Sequence, residues 1–152
     1  MSKKTRANKS NEPNELDELD ELAKLTELSK PNINNQCMYI LVNDDLKMGK
    51  GKIAGQVGHV VGLITEEIIR KSYETAKGVP DCYQRYVEWK MTGHAKVILK
   101  ATQQQIEQMI GEPESIYIRD AGRTQIAPNS LTVLGFYPSA NLKDKFKDYK
   151  LL

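Results

Sequence analysis

The groups best able to do chemistry fall in two stretches. The first, Leu46-Lys47-Met48-Gly49-Lys50-Gly51-Lys52, sets three ammonium groups and two glycines between an apolar run and a helical pattern. A helix start offers free N–H groups and partial positive charge, and glycine lets a ligand approach the backbone. Such a loop stabilises a phosphate, or an oxygen that gains charge in a transition state. The second stretch runs from Asp120 to Ser130 and gathers a carboxylate, a guanidinium, two hydroxyls and an amide in Asp120, Arg123, Thr124, Ser130 and Gln125, punctuated by Gly122 and Pro128. Asp120 can take a proton from water or orient it, Thr124 can bond the same water or the substrate, and Arg123 suits a phosphate fork. Each stretch alone also has a plain structural explanation: solvated lysines in the first, an Asx-type turn in the second.

Beyond the first stretch, Lys52, Gln56 and His59 follow at i, i+4 and i+7 and so share one helix face. A rise of about 1.5 Å per residue sets His59 roughly 10 Å from Lys52 along the axis, which gives it at most a supporting part. Two nucleotide motifs use similar glycines. A Walker loop fails twice, since Leu46 stands at its first glycine and Ile53 at its hydroxyl position. Gly49 to Ala54 does satisfy GxGxxA, but polar residues separate it from the preceding strand. The second strand also ends in Lys100-Ala101 without a carboxylate for a ribose, so a dinucleotide enzyme is a weak competitor. No histidine–carboxylate spacing fits a metal, and neither metal nor cofactor is expected.

Positioning these groups requires a scaffold. Cys37 to Val42 is a continuous apolar run that predicts a strand buried on both faces. A helix is expected from about Lys52 to Thr75 with Ile53, Val57, Val60, Val61, Ile64 and Ile68 on its apolar side. Further helices fit Cys82 to Met91 and Thr102 to Ile110, and further strands fit Ala95 to Lys100, Ile116 to Ile118 and Leu131 to Tyr137. Strands alternating with helices imply parallel pairing among the first three, and the helix-free link into the fourth implies an antiparallel strand. The lysine loop and Asp120 then meet at one sheet edge, where a cation, a carboxylate and a hydroxyl suit hydrolysis of an activated ester by water.

The remaining sequence sets the frame. At 152 residues, 39% hydrophobic and 28% charged, the chain fits one soluble domain. Residues 1–35 read as a flexible charged tail, with leucines at Leu16, Leu19, Leu22, Leu25 and Leu28. A period of three drifts around a helix, so this tail is either a solubilising segment or one that orders on a protein partner. Residues 1–30 carry six basic and seven acidic side chains, leaving the remainder near +3 of the overall +2, a balance compatible with an RNA partner. Cys37 and Cys82 stand far apart, and no signal-like or membrane-length apolar run occurs, so a reducing, cytoplasmic setting without membrane attachment is expected.

Two long motifs in register carry a resemblance. Asp45 to Ala54 with Gln56 and His59, and Asp120 to Pro128 followed by Thr132-Val133-Leu134-Gly135, resemble the signature of the type-2 peptidyl-tRNA hydrolases, from about Met38 to Leu152. The resemblance implies an α/β fold, a three-layer sandwich with a four-stranded mixed β-sheet flanked by helices, over residues 36–152. It implies metal-independent cleavage of peptidyl-tRNA, without a cofactor, with catalytic roles on Lys52, Asp120 and Thr124. Lys47, Lys50, Gln56, Arg123 and Gln125 would hold the tRNA end, with His59 in support. A homodimer is compatible with it, and a catalytically weak tRNA- or protein-binding module of the same fold is the alternative.

Overall fold

The computed structural model describes residues 35–74, 78–123 and 126–152. The expected tail, apart from Asn35, lies outside the described residues, as do Thr124 and Gln125. Strand β1 is Met38–Asn43, α1 is Lys50–Glu74, α2 is Asp81–Met91 and β2 is Lys96–Ala101; α3 is Gln103–Glu107, β3 is Ser115–Arg119 and β4 is Leu131–Phe136. None of the described helices is long and apolar enough to cross a membrane.

β1 is apolar from Met38 to Val42 because both its faces are covered. Met38, Ile40 and Val42 join one core cluster with Val60, Ile64 and Ile68 of α1 and Tyr86 and Trp89 of α2. Leu41 joins the other with Ile106 of α3 and Phe146 of the C-terminal segment. The mixed sheet is thus the middle layer of three. α1 sits against it closely: a Cβ on Gly135 of β4 would come within 2.8 Å of Ile64 and Val60, so only glycine allows the approach.

The strand order is β2-β1-β4-β3. β1 pairs with β2 in parallel, as expected. β3 does not pair with β1 or β2, which corrects the expectation of parallel pairing among the first three strands. β4 lies between, antiparallel to both β1 and β3, so β3 keeps the direction of β1 without touching it. The cause is the helix-free link from Asp120 to Ser130, which lacks the crossover a parallel pairing needs. The apolar Leu131–Phe136, buried at every position, also requires the central place that covers both faces.

Two other bounds differ from expectation by more than one residue. α3 ends at Glu107, after which bonds from Met109 N–H to Ile106 and from Ile110 N–H to Glu107 tighten the chain into turns that close on Gly111 at φ 91°. α1 begins at Lys50, with the Ile53 N–H already bonded to the Gly49 carbonyl at 3.0 Å. The loop feeding it is fixed by Asn43, only 1% exposed, whose side chain donates to the Leu131 carbonyl at 2.8 Å and accepts from the Asp45 N–H at 3.1 Å. One buried amide thereby ties the end of β1, the start of β4 and the entry to α1 together.

Candidate active site

Asp120 follows directly on β3 and closes its own loop, its N–H bonded to the Ser130 carbonyl at 2.9 Å and its carbonyl accepting from the Asn129 N–H at 2.7 Å. Gly122 stands at φ 71°, where a Cβ would lie 2.5 Å from Pro128, so the turn demands glycine. Its N–H donates to Asp120 Oδ2 at 2.8 Å, the Asx-type turn expected from the sequence. The same carboxylate is also turned toward α1.

Across from it, Lys52 donates from Nζ to Asp120 Oδ1 and forms an ion pair whose side chains are only 13% and 8% exposed. Gln56, one turn on, donates from Nε2 to the same Oδ1 at 2.9 Å. A carboxylate only accepts, so the amide nitrogen must face Asp120 and the amide oxygen must look inward. There it accepts from the Thr132 hydroxyl at 2.7 Å, whose single proton is shared with the Ile118 carbonyl at 3.1 Å. Thr132 is fully buried and Gln56 4% exposed, so β4 holds the amide and the amide holds the carboxylate.

The Lys52 hydrogen bond keeps the Asp120 carboxyl below the usual carboxylate range; partial desolvation opposes this, and the Gly122 N–H, the Lys52 charge and Gln56 add to it. Asp120 is therefore an anion at neutral pH. Of roughly four acceptor positions on a carboxylate, three are taken among the described residues by Lys52, Gln56 and Gly122, and the fourth, on Oδ2, suits a water.

The pair lies in a cleft of about 570 Å³ whose walls include Gly51, Lys52, Gln56, His59, Asp120 and Arg123. The site residues expected from sequence are distributed as follows. Lys52, Gln56, His59, Asp120 and Arg123 come together at this cleft. Gln56, expected to hold the tRNA end, has both ends of its amide engaged inside the protein. Lys47 caps the 3-10 turn Asp44–Leu46 with left-handed backbone and pairs with Asp44 at 2.9 Å, largely exposed. Lys50 faces a different hollow with Ile53, Val57, Lys96 and Lys100. His94, an exposed residue, packs edge-on to Trp89 at 4.7 Å.

Thr132 escaped the sequence reading as a site residue. Its signal was present: it is the lone hydroxyl in the otherwise apolar strand Leu131–Phe136, and a buried polar group needs a partner. Among the described residues no three His, Cys, Asp or Glu side chains gather as a metal-ligand set.

A profile of the family described as Peptidyl-tRNA hydrolase PTH2 matches residues 36–152. The chain is 40% identical over 116 residues to "Peptidyl-tRNA hydrolase 2, mitochondrial" of Homo sapiens, which covers 71% of this chain and 59% of that protein. It is 36% identical over 124 residues to "Peptidyl-tRNA hydrolase" of Saccharolobus islandicus, covering 76% of this chain and 98% of the relative. It thus spans well under two thirds of the human protein and nearly all of the archaeal one. Matched by that profile over the whole segment that carries the sheet, the helices and the Lys52–Asp120 cleft, the chain belongs to the peptidyl-tRNA hydrolase PTH2 family.

Proposed function

We propose that the chain hydrolyses the ester between a peptide and its tRNA by direct attack of water, with no step assigned to a metal or cofactor. The observation that carries this reading is the Lys52–Asp120 ion pair in the wall of an open cleft, held by Gln56 and Gly122. Asp120, kept ionised, is a weak base, and its part is to orient a water on the remaining position of Oδ2. The water oxygen bonds to the acyl carbon, whose carbonyl becomes an oxyanion; the carbonyl re-forms as the carbon–oxygen bond to the ribose breaks, and the proton given up by the water passes to that ribose oxygen. Lys52, with the N–H groups that open α1, stabilises the oxyanion. Thr124, by its position in the motif, bonds the water or the acyl group.

Lys47, Lys50, Arg123 and Gln125 are assigned to the tRNA end. Contacts to phosphate carry little sequence information, which suits an enzyme that accepts many tRNAs, and they make affinity fall with salt. We further infer a cytoplasmic setting from the two free cysteines. Cell fractionation tests it.

The functional test is release of peptide from an N-blocked aminoacyl-tRNA by the purified chain, with and without a chelator. Equal release in both supports the reading. Salt-sensitive tRNA binding without release replaces it with the binding module.

A further inference from the structure

The cleft does not end at His59. A second hollow of about 530 Å³ shares His59, Ile118 and Arg119 with the first and continues past Gly62 and Tyr117 to Glu66. Together the two form one groove between the flank of α1 and β3. Three consecutive residues of β3, Tyr117 to Arg119, line it, although neighbouring side chains on a strand point to opposite faces. An open strand edge gives that pattern, because there the backbone itself forms the wall.

β3 has such an edge. It is the last strand of the sheet, and among the described residues nothing pairs with its outer side. The opposite edge is treated differently: the C-terminal residues lie along β2, with the Lys100 N–H bonded to the Lys150 carbonyl at 2.8 Å and the Leu152 N–H to the Ile98 carbonyl at 3.0 Å. Flanking β3, the Tyr137 N–H bonds to the Glu114 carbonyl at 2.8 Å and the Asp120 N–H to the Ser130 carbonyl at 2.9 Å, both on the β4 side. Two-residue alternation in the antiparallel register carries inward bonding to Ile116 and Ile118 and aims the N–H and C=O of Tyr117 outward, into the groove.

Charge disfavours one occupant. The outer hollow has the Arg119 guanidinium only at the end it shares with the cleft and the Glu66 carboxylate at its far end, where a phosphate would meet a like charge. The length is also informative. From Lys52 to Glu66 is about 21 Å along a helix, the span of roughly six extended residues.

We propose that this groove takes the peptide of the substrate as an added strand on β3, main chain to main chain. The inference rests on the reading of the Lys52–Asp120 cleft as an acyl-ester hydrolase. With the ester at Asp120, past the C-terminal end of β3, the upstream peptide runs back beside Tyr117 toward Glu66, so the added strand is parallel to β3. Backbone pairing of this kind accepts any side-chain sequence. The same wall would serve every nascent peptide except one with proline at a bonded position.

The test compares N-acetyl-aminoacyl-tRNA, too short to reach Gly62, with a hexapeptidyl-tRNA of uncharged residues. Gly62 has nothing within 4 Å of an added Cβ, and leucine is the better helix former, so Gly62→Leu fills the groove without opposing the fold. It is expected to lower kcat/KM for the hexapeptidyl substrate about tenfold, the equivalent of one or two net main-chain hydrogen bonds, and to leave the short substrate unchanged. N-methylation along the peptide is expected to hurt at alternate residues only. Equal loss on both substrates, no loss on either, or N-methyl effects without alternation overturns the groove. If the unaltered chain cleaves neither substrate, the hydrolase reading fails. The groove is then judged by titrating free hexapeptide against the amide signals of Tyr117 and Arg119, where no shift, or a shift with deacylated tRNA instead, overturns it.

Discussion

The two flanks of α1 carry hollows of opposite character. On one, Lys52, Gln56 and His59 border a cleft in which Asp120 is held by donors from Lys52, Gln56 and Gly122. On the other, Ile53, Val57, Val61 and Ile98 make an apolar floor under a rim of Lys50, Lys96 and Lys100, and the hollow is larger, about 780 Å³ against 570 Å³. Size and apolarity favour the second. Preorganisation favours the first, because only there are charged groups fixed by buried partners that cannot relax away from a reacting atom. Fixed bonding, rather than volume or the number of lysines, is the ground on which the proposed chemistry is placed at the Asp120 cleft.

The largest effect that can break this contrast is on the carboxylate. Asp120→Ala is expected to lower kcat by about 10²–10⁴, the usual worth of a positioned acid–base group, with tRNA affinity little changed. Lys52→Met follows, with a loss of about 10²–10³ in kcat as the oxyanion loses its cation. That substitution also removes the main cause of the lowered Asp120 pKa, so the acid limb of kcat/KM should move to higher pH. In the unaltered chain the limb should fall below the ordinary carboxylate value near 4. The stability that the pair contributes has the same sign: it is fully present above the unfolded value and lost as pH falls through the lowered folded one. Acid unfolding followed by circular dichroism reads it.

A smaller effect is expected at Thr132. Thr132→Val leaves the Gln56 oxygen buried without its donor, at a cost of about 1–3 kcal/mol in chemical unfolding. With the amide free to turn, kcat should fall about tenfold, a loss of about 1.4 kcal/mol in barrier terms, while KM holds. Thr132→Ser, which keeps the hydroxyl, should restore both; failure to do so would assign Thr132 to packing alone. The smallest effect belongs to the other flank. Lys96→Ala and Lys100→Ala should leave kcat unchanged, and the salt slope of tRNA binding should shrink by about one for each phosphate that either lysine neutralises. A fall in kcat there would erase the distinction between the flanks.

Much of the scaffold was legible because its sequence patterns follow from burial. β1 and β4 are apolar at nearly every position since both faces are covered, and the row Val60, Ile64, Ile68 marks the core side of α1. Strand order was not legible, since it depends on where β4 inserts, and local pattern gives only the absence of a crossover. Lys52 and Asp120 were readable as partners from the common direction of β1 and β3. Lys50 is not separable from Lys52 as long as it counts as a loop residue. Once α1 begins at Lys50, two residues turn the helix by about 200° and place the two lysines on opposite flanks. Gln56 sits one turn before Val60 in the buried row, a position that accounts for its inward-bonded amide and that its assignment to the tRNA end overlooked.

The central claim is that the Asp120 carboxylate, held by Lys52 and Gln56, acts in the chemical step. Single-turnover hydrolysis of N-acetyl-aminoacyl-tRNA by Asp120→Asn, beside its tRNA dissociation constant, tests this most directly. The account predicts cleavage slowed about 10²-fold or more with the dissociation constant within a few-fold of the unaltered chain. Cleavage at the original rate, or a loss wholly explained by weaker tRNA binding, would contradict it.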